Sequence, residues 1–144
     1  MYYKQETGKS GEEIASNYLE EQGYKILERN FSCNQGEIDI IAKDKEEIVF
    51  IEVKTRTNKK YGEGSEAVNI NKQKHLLRAI KYYIYIKKYE NNFIRIDVIE
   101  IYIKNKEVKI NHIKQAIEWR KIVYKRVKKI ASNNWLFINS VLSF

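Results

Sequence analysis

Three charged residues interrupt two apolar, β-branched runs of this chain, and their chemical types suit the handling of a phosphate ester. Asp39 lies within residues 36–42, whereas Glu52 and Lys54 lie within residues 48–56. A charge inside a strand costs free energy unless it has a partner or a metal ion. Two acids and a lysine on adjacent strands could hold a divalent cation and a water molecule beside a phosphodiester.

The spacing of these residues gives a geometric reason for the same chemistry. Glu52 and Lys54 are separated by one residue, so both side chains point to the same face of an extended strand. Asp39 and Glu52 are the carboxylate ligands that Mg²⁺ accepts, and the main-chain carbonyl of Val53 could contribute a third ligand. Lys54 would then orient the attacking water and stabilise the negative charge that develops.

A simpler interpretation of the triplet is structural. Asp39 and Lys54 could face solvent and form a cross-strand ion pair, because alternating charges are ordinary on a half-exposed sheet. An aspartate followed by the pattern Glu-x-Lys also occurs often by chance. The triplet by itself therefore favours the ion pair, and the wider sequence has to decide between the two interpretations.

The elements around the triplet follow an order that can build a mixed sheet. Ser10 and Glu13 have the spacing of a capping box at the start of a helix, and Gly23 suits its end. The two charged runs and the polar turn between them predict a β-hairpin. The other patterns predict a strand over 24–31, a connection over 32–35, a polar loop over 57–65, a helix over 71–88, strands over 93–103 and 107–113, and a last helix. A sheet flanked by helices buries both its faces, so the sequence predicts an α/β or α+β fold.

Length and composition predict one domain with a short appendage. The chain has 144 residues, enough for one domain with a sizeable core. We expect this domain to span residues 1–118. Residues 119–144 lack acidic side chains, begin basic and end apolar, so we expect a C-terminal extension whose role and partner the sequence does not indicate.

The charge balance favours an anionic partner. The net charge of +8 indicates nucleic acid first and an acidic membrane surface second. A single cysteine, Cys33, excludes an intramolecular disulfide and a zinc site built from several cysteines. No secretory signal and no apolar stretch long enough to span a membrane is visible, so a cytoplasmic location is the expectation.

The wider sequence resembles a known family. Gly-Glu-Ile-Asp-Ile-Ile-Ala at residues 36–42 and Val-Phe-Ile-Glu-Val-Lys-Thr-Arg at residues 49–56 closely resemble the YraN-like proteins. These belong to the PD-(D/E)xK nuclease superfamily, with restriction endonucleases and Holliday-junction resolvases as relatives. The resemblance runs in order from about residue 8 to residue 117. It implies an α/β, restriction-endonuclease-like mixed sheet flanked by helices, and it reverses the preference for a simple ion pair.

The resemblance also implies roles for individual residues. Asp39 and Glu52 match the superfamily's metal-binding acids, and Lys54 matches its catalytic lysine. Glu12 matches a first-helix acid that approaches the metal site in resolvase-like relatives. Lys72 and Gln73 occupy a helix position where relatives often place a further polar active-site residue. The implied cofactor is Mg²⁺ or Mn²⁺.

Basic residues at the end of the hairpin and beyond it form a candidate nucleic-acid-binding surface. The set comprises Arg56, Lys59, Lys60 and Lys72. These side chains could hold phosphates beside the site, or they could simply be a solvated loop and helix face. If they bind nucleic acid, the affinity should fall steeply with added salt.

Three functions remain open at the level of sequence. The first is a metal-dependent nuclease acting on DNA, including branched or damaged structures, by phosphodiester hydrolysis with two carboxylates and a lysine. The alternative is a nucleic-acid-binding module that keeps the nuclease fold with little or no turnover. A third is an adaptor that acts through its C-terminal extension. A resolvase-type reaction would favour a symmetric homodimer.

Three further titratable residues have ordinary structural interpretations. Asp97 lies in a strand among isoleucines, so we expect a structural pairing with Arg95 or with a lysine of a helix. His75 and His112 lack the spacing of metal ligands and are expected to be exposed or packed.

Overall fold

A mixed β-sheet with one helix on each face makes up the part of the chain described by this computed structural model, which comprises residues 2–4, 10–57 and 70–118. In chain order the elements are β1 (Tyr2–Lys4), α1 (Gly11–Glu21), β2 (Lys25–Cys33), β3 (Gly36–Asp44), β4 (Glu47–Arg56), α2 (Ile70–Lys87), β5 (Phe93–Lys104) and β6 (Glu107–Ile117). The strand order is β1-β6-β5-β4-β3-β2, with β4 and β5 parallel and the other neighbours antiparallel. The predicted α/β class is therefore confirmed, and the arrangement is consistent with a restriction-endonuclease-like fold.

Helix α1 begins where the sequence predicts. The Ser10 side chain accepts a hydrogen bond of 3.2 Å from the main-chain N–H of Glu13, which satisfies one of the donors left open at a helix start. The apolar residues Ile14, Ala15 and Leu19 are buried against the sheet. Ala15 and Leu19 are four positions apart, about one helical turn, and Ile14 directly precedes Ala15. The three side chains therefore share one side of α1, which packs on the sheet by a single apolar face.

The hairpin of β3 and β4 is the scaffold of the candidate site. The two strands pair antiparallel, with Asp44 opposite Glu47 at the turn and Ile40 opposite Ile51 farther along. Lys45 has a φ of 54° in this turn, the left-handed conformation that a two-residue hairpin loop requires. The predicted hairpin is therefore confirmed.

The sheet separates two apolar cores. One contains the buried face of α1 together with Val49 and Ile51 of β4. The other contains α2 together with Ile48 and Phe50, which alternate with Val49 and Ile51 along β4. Each fully buried side chain of this kind contributes roughly 1.5–3 kcal/mol. Because both faces of β4 are covered, its charged residues can only reach solvent near the end of the strand.

Two predicted strands are longer in the structure. β2 continues to Cys33, which pairs with Gly36, so the predicted connection over residues 32–35 shortens to two residues. β6 continues to Ile117, which pairs with Ile96 beyond an irregularity in the ladder. Pairing with a neighbouring strand holds these polar residues extended, and no local pattern indicates that pairing.

Other expectations fall at the ends of the described ranges. β1 is a short edge strand that pairs antiparallel with β6 and that the sequence pattern did not indicate. The predicted third helix, the C-terminal extension and the loop up to residue 65 lie outside the described residues, apart from Thr57. In the described ranges neither helix has the length and apolar character needed to cross a membrane.

Candidate active site

Glu52 and Lys54 lie at the C-terminal end of β4, on the face that α2 covers. Phe50 packs in the core with α2, and the next alternate positions along the strand are Glu52 and Lys54. Asp39 of β3 lies one residue beyond Ile40, at the level of Glu52. The structure therefore brings the three predicted residues to one end of the hairpin.

A main-chain hydrogen bond holds Asp39 against β4. The N–H of Val53 donates to Asp39 Oδ2 at 2.8 Å. This bond uses one carboxylate oxygen and fixes the direction of the other, because the side chain has few remaining rotamers. Asp39 is thus oriented by the strand that carries Glu52 and Lys54.

Negative charge is concentrated around Asp39. Burial raises the pKa of Asp39 to about 6, and the nearby carboxylates of Glu52 and Glu12 act in the same direction. The hydrogen bond from Val53 and the ammonium of Lys72 act in the opposite direction without cancelling the rise. The first-helix acid Glu12 therefore lies close enough to Asp39 to influence its pKa.

Glu52 is paired with a lysine of the second helix. Its carboxylate is buried, and Oε1 lies 2.7 Å from Nζ of Lys72. The Lys72 side chain is 63% exposed, whereas that of Glu52 is only 6% exposed. The hydrogen bond to Glu52 raises the pKa of Lys72, so this ammonium stays charged at neutral pH. A solvent-exposed ammonium thus pairs with a buried carboxylate.

Lys54 lies between two acids. It pairs in parallel register with Glu100 of β5, and Glu52 is two residues away on the same face. Burial lowers the pKa of Lys54, and Arg56 adds to this effect, while Glu52 and Glu100 raise it. The resulting ammonium is partly desolvated, which strengthens any interaction it makes with a developing negative charge.

Glu100 belongs to the site's surroundings, and the sequence interpretation missed it. Its side chain is buried, and Oε2 accepts hydrogen bonds of 3.0 Å from both Tyr102 Oη and Asn111 Nδ2. Arg56 Nη2 lies 3.5 Å from Oε1. The available signal was an acid inside the apolar run of β5, the same signal that marked Asp39. The sequence does not indicate that β4 and β5 pair in parallel, so it could not show that Glu100 lies next to Lys54.

The other predicted site residues have different surroundings. Arg56 is only 11% exposed and pairs with Glu100, although its buried Nε–H has no hydrogen-bond partner within the described residues. Gln73 lies half-buried next to Lys72 near the start of α2. Lys59 and Lys60 lie outside the described residues. A role for this basic set in nucleic-acid binding stays a prediction.

Two glycines let the helices approach the site closely. A Cβ on Gly11 would overlap the Thr55 side chain, so the start of α1 is against the end of β4. A Cβ on Gly36 would lie 2.7 Å from the main-chain oxygen of His75 in α2. A larger residue at Gly36 would push α2, which carries Lys72, away from the hairpin, whereas one at Gly11 would first displace the Thr55 side chain. Both glycines fall within the pattern that carried the family resemblance.

The donor set fits a hard divalent cation. Asp39 on β3 and Glu52 on β4 supply carboxylate oxygens, and Val53, the residue after Glu52, has a main-chain carbonyl. In residues 10–57 and 70–118, no three side chains of the His, Cys, Asp or Glu type converge into a complete metal cage. Mg²⁺ commonly binds through one or two carboxylates and keeps its remaining positions for water and phosphate oxygens. The acids around Asp39 and the Lys72 ammonium paired with Glu52 both indicate that a cation is favourable at this position.

A second polar cluster lies on the face covered by α1. The carboxylate of Asp97, fully buried, accepts hydrogen bonds from Arg95 Nε at 2.9 Å and from His112 Nε2 at 2.7 Å. The hydroxyl of Tyr18 on α1 lies 3.4 Å from His112 Nδ1. The expected pairing of Asp97 with Arg95 is confirmed, and His112 is packed. His75 is exposed on α2.

Comparison with known proteins identifies the family but not an activity. Residues 11–101 match the family described as Uncharacterised protein family UPF0102. A UPF0102 protein of Caldicellulosiruptor saccharolyticus is 50% identical over 115 residues, covering 78% of this chain and 98% of the relative. A UPF0102 protein of Clostridium perfringens is 46% identical over 116 residues, covering 79% and 95%.

Similarity to solved structures adds little. The crystal structure of SSO0001 is similar at a TM-score of 0.28 and 15% identity, over 86% of this chain and 57% of that one. A likeness at that level is too distant to support an argument. The family model covers residues 11–101 and the two relatives match over nearly their whole length, so the chain belongs to the UPF0102 family, the YraN-like family that its sequence resembles.

Proposed function

We propose that this protein is a metal-dependent nuclease that hydrolyses phosphodiester bonds in DNA. One observation carries the proposal: Asp39, Glu52 and Lys54 converge at the end of one hairpin, with a raised pKa at Asp39 that reflects burial beside two further acids. Such a concentration of charge is costly for folding and is typical of functional sites. The family resemblance supports the same assignment.

Each residue has a chemical task in this proposal. Asp39 and Glu52, with the Val53 carbonyl, would hold Mg²⁺ or Mn²⁺. Such an ion neutralises the phosphate and acts as a Lewis acid. Lys54 orients the attacking water and stabilises negative charge on the phosphate oxygens. Glu12 lies close to Asp39 and adds negative charge that favours cation binding.

DNA is the proposed substrate class on grounds of charge and resemblance. The chain carries a net charge of +8, although the site itself is acidic. Positive charge around an acidic site lets a protein attract a polyanion while it still holds a metal ion. Lys72 is the exposed cation nearest to the site acids among the predicted binding residues that the structure describes. The proposal includes branched and damaged DNA, for which a symmetric homodimer would be suitable.

Cleavage assays test the proposal directly. Purified protein is incubated with linear, nicked, flapped and four-way DNA, with Mg²⁺, with Mn²⁺ or with EDTA. We expect metal-dependent cleavage that Asp39→Ala, Glu52→Ala or Lys54→Ala abolishes while DNA binding persists. Glu107→Ala, an exposed acid on β6, is the matched control and should cleave normally. Inactivity of the wild type on the whole panel with both metals would count against the proposal.

A second candidate is a nucleic-acid-binding module with little turnover. The specific observation in its favour is the Lys72 ammonium on Glu52, which could satisfy the acid permanently in place of a metal. This candidate predicts salt-sensitive DNA binding without cleavage, and no heat of Mn²⁺ binding in calorimetry. Measurable Mn²⁺ binding that Asp39→Ala removes would exclude it.

A further inference from the structure

Two basic residues neutralise acids on either side of Lys54, but they are held very differently. Arg56 pairs with Glu100 at side-chain exposures of 11% and 2%, inside the protein. Lys72 pairs with Glu52 while keeping 63% of its own side chain exposed. Moving Arg56 would break buried packing, whereas Lys72 can leave Glu52 with little loss of packing. The first pair is therefore fixed and the second is exchangeable.

Glu52 needs a cation whatever the state of the site. Its carboxylate is 6% exposed, and a buried carboxylate without a partner is strongly unfavourable. Asp39 and Glu12 lie close enough to add further negative charge. A single ammonium at 2.7 Å supplies this compensation. A divalent ion bound between Asp39 and Glu52 would supply the same compensation more completely.

We propose that the Lys72 ammonium is a built-in substitute for the metal ion, so that Lys72 and the divalent cation compete for Glu52. This inference rests on the proposed metal site and adds a residue that sets its affinity. Lys72 neutralises Glu52 when the metal is absent. When a metal binds, Lys72 leaves Glu52 and its exposed ammonium becomes available to a phosphate of the substrate.

Position on the helix explains why Lys72, and not the nearby Lys74, contacts Glu52. Successive residues of a helix are rotated by about 100°, so residues two positions apart point in nearly opposite directions. Lys74 is therefore directed away from Glu52 and is exposed on the same helix. Lys74 carries the same charge as Lys72 and lies only two residues farther along α2. Lys74 is thus a matched control that separates the direct contact from a general change in charge.

The test is calorimetry with Mn²⁺ alone, near pH 8, on the full chain and on the variants Lys72→Gln and Lys74→Gln. We expect Lys72→Gln to bind Mn²⁺ about tenfold more tightly than the wild type, because the competing ammonium is gone. Lys74→Gln should stay within about twofold of the wild type, since removal of a distant surface charge acts only through screened solvent. Circular dichroism verifies that both variants are folded.

Magnetic resonance of the lysine ammonium groups gives a second readout that does not depend on turnover. In the wild type, addition of Mg²⁺ should shift the Lys72 ammonium signal and speed its exchange with water, while the Lys74 signal stays unchanged. Equal Mn²⁺ affinity of Lys72→Gln and Lys74→Gln, or weaker binding by Lys72→Gln, would overturn the inference. Absence of Mn²⁺ binding in every variant would overturn both the inference and the proposed metal site. Tighter binding without DNA cleavage would support the inference and contradict the nuclease proposal alone.

Discussion

The main-chain N–H of Val53 donates a hydrogen bond of 2.8 Å to the carboxylate of Asp39, and this bond joins the two strands of the hairpin at the candidate site. Val53 lies between Glu52 and Lys54, so the bond holds the Asp39 carboxylate beside the segment of β4 that carries both residues. The orientation of Asp39 therefore depends on β4. Burial, together with the neighbouring acids, nevertheless makes the ionised form of Asp39 costly, which gives a measurable dependence of stability on pH.

Replacement of Asp39 by asparagine should stabilise the protein at neutral and alkaline pH. Burial and neighbouring acids raise the pKa of Asp39 from 3.8 to about 6. Below the lower value the carboxyl is protonated in both the folded and the unfolded chain, so it causes no penalty. As the pH rises through about 6, the folded protein must hold the ionised form and loses stability. Asp39→Asn should therefore gain about 2 to 3 kcal/mol near pH 8 and almost nothing near pH 4.

Urea unfolding at several pH values measures this effect in metal-free buffer. The amide oxygen of the asparagine can still accept the hydrogen bond from Val53, so the comparison isolates the charge. A loss of stability near pH 8 in Asp39→Asn would contradict the electrostatic description of the site. Added Mn²⁺ should stabilise the wild type and leave the variant unchanged, because only the wild type would bind it.

Replacement of Glu100 by glutamine should destabilise the protein. The substitution removes the carboxylate that pairs with the nearly buried guanidinium of Arg56. Removing one member of a buried ion pair costs about 3 kcal/mol or more. Chemical denaturation of Glu100→Gln measures the loss. Glu107→Gln, an exposed acid on the neighbouring strand, is the control and should stay within about 0.5 kcal/mol of the wild type. Equal stabilities of the two variants would show that the Arg56 pair contributes little.

Replacement of Asp97 by asparagine should also destabilise the protein, with the opposite pH dependence to Asp39. Burial alone would raise the pKa of Asp97, but hydrogen bonds from His112 and Arg95 outweigh it and lower the pKa. The ionised form therefore stabilises the fold above the ordinary aspartate pKa, and this stability is lost as the pH falls. The loss in Asp97→Asn should be about 3 kcal/mol near pH 7 and smaller in acid. A loss that stays constant from pH 7 down to pH 3 would show that packing, not charge, explains it.

Replacement of Gly36 by alanine should move α2 away from the hairpin. The new Cβ would lie 2.7 Å from the main-chain oxygen of His75, which cannot rotate away as a side chain could. We expect a loss of about 1 to 3 kcal/mol in unfolding free energy. Asn34→Ala in the same turn is exposed and should be nearly neutral. Because α2 carries Lys72, Gly36→Ala should also weaken its pairing with Glu52, visible as faster exchange of the Lys72 ammonium.

Local sequence patterns were sufficient for the parts of the site that lie close together in the chain. The capping box at Ser10 and the hairpin that carries Asp39 and Glu52 were predicted, because both depend on residues a few positions apart. Asp39, Glu52 and Lys54 followed from alternation along the two strands. Arg95 was one of the two kinds of partner expected for Asp97, the other being a helix lysine, and Arg95 lies two positions before Asp97 on the same strand.

Contacts between distant segments could not be predicted in the same way. Glu100 meets Lys54 only because β5 lies parallel to β4 after a crossover that includes α2. Lys72 meets Glu52 only because packing fixes the rotation of α2 on the sheet. A hydrophobic pattern predicts which face of a helix is buried, but it does not predict how the helix is placed on the sheet. The partners of the predicted residues therefore depend on the tertiary structure.

Diffraction from crystals soaked in Mn²⁺ tests the central claim most directly, because the anomalous signal identifies the ion and its ligands together. We predict an anomalous peak between the carboxylates of Asp39 and Glu52, with the Lys72 ammonium no longer on Glu52. Crystals of Asp39→Ala treated in the same way should lack the peak. If wild-type crystals show no peak there, and Lys72 Nζ still contacts Glu52 Oε1, the account of this site as a metal-dependent catalytic centre is wrong.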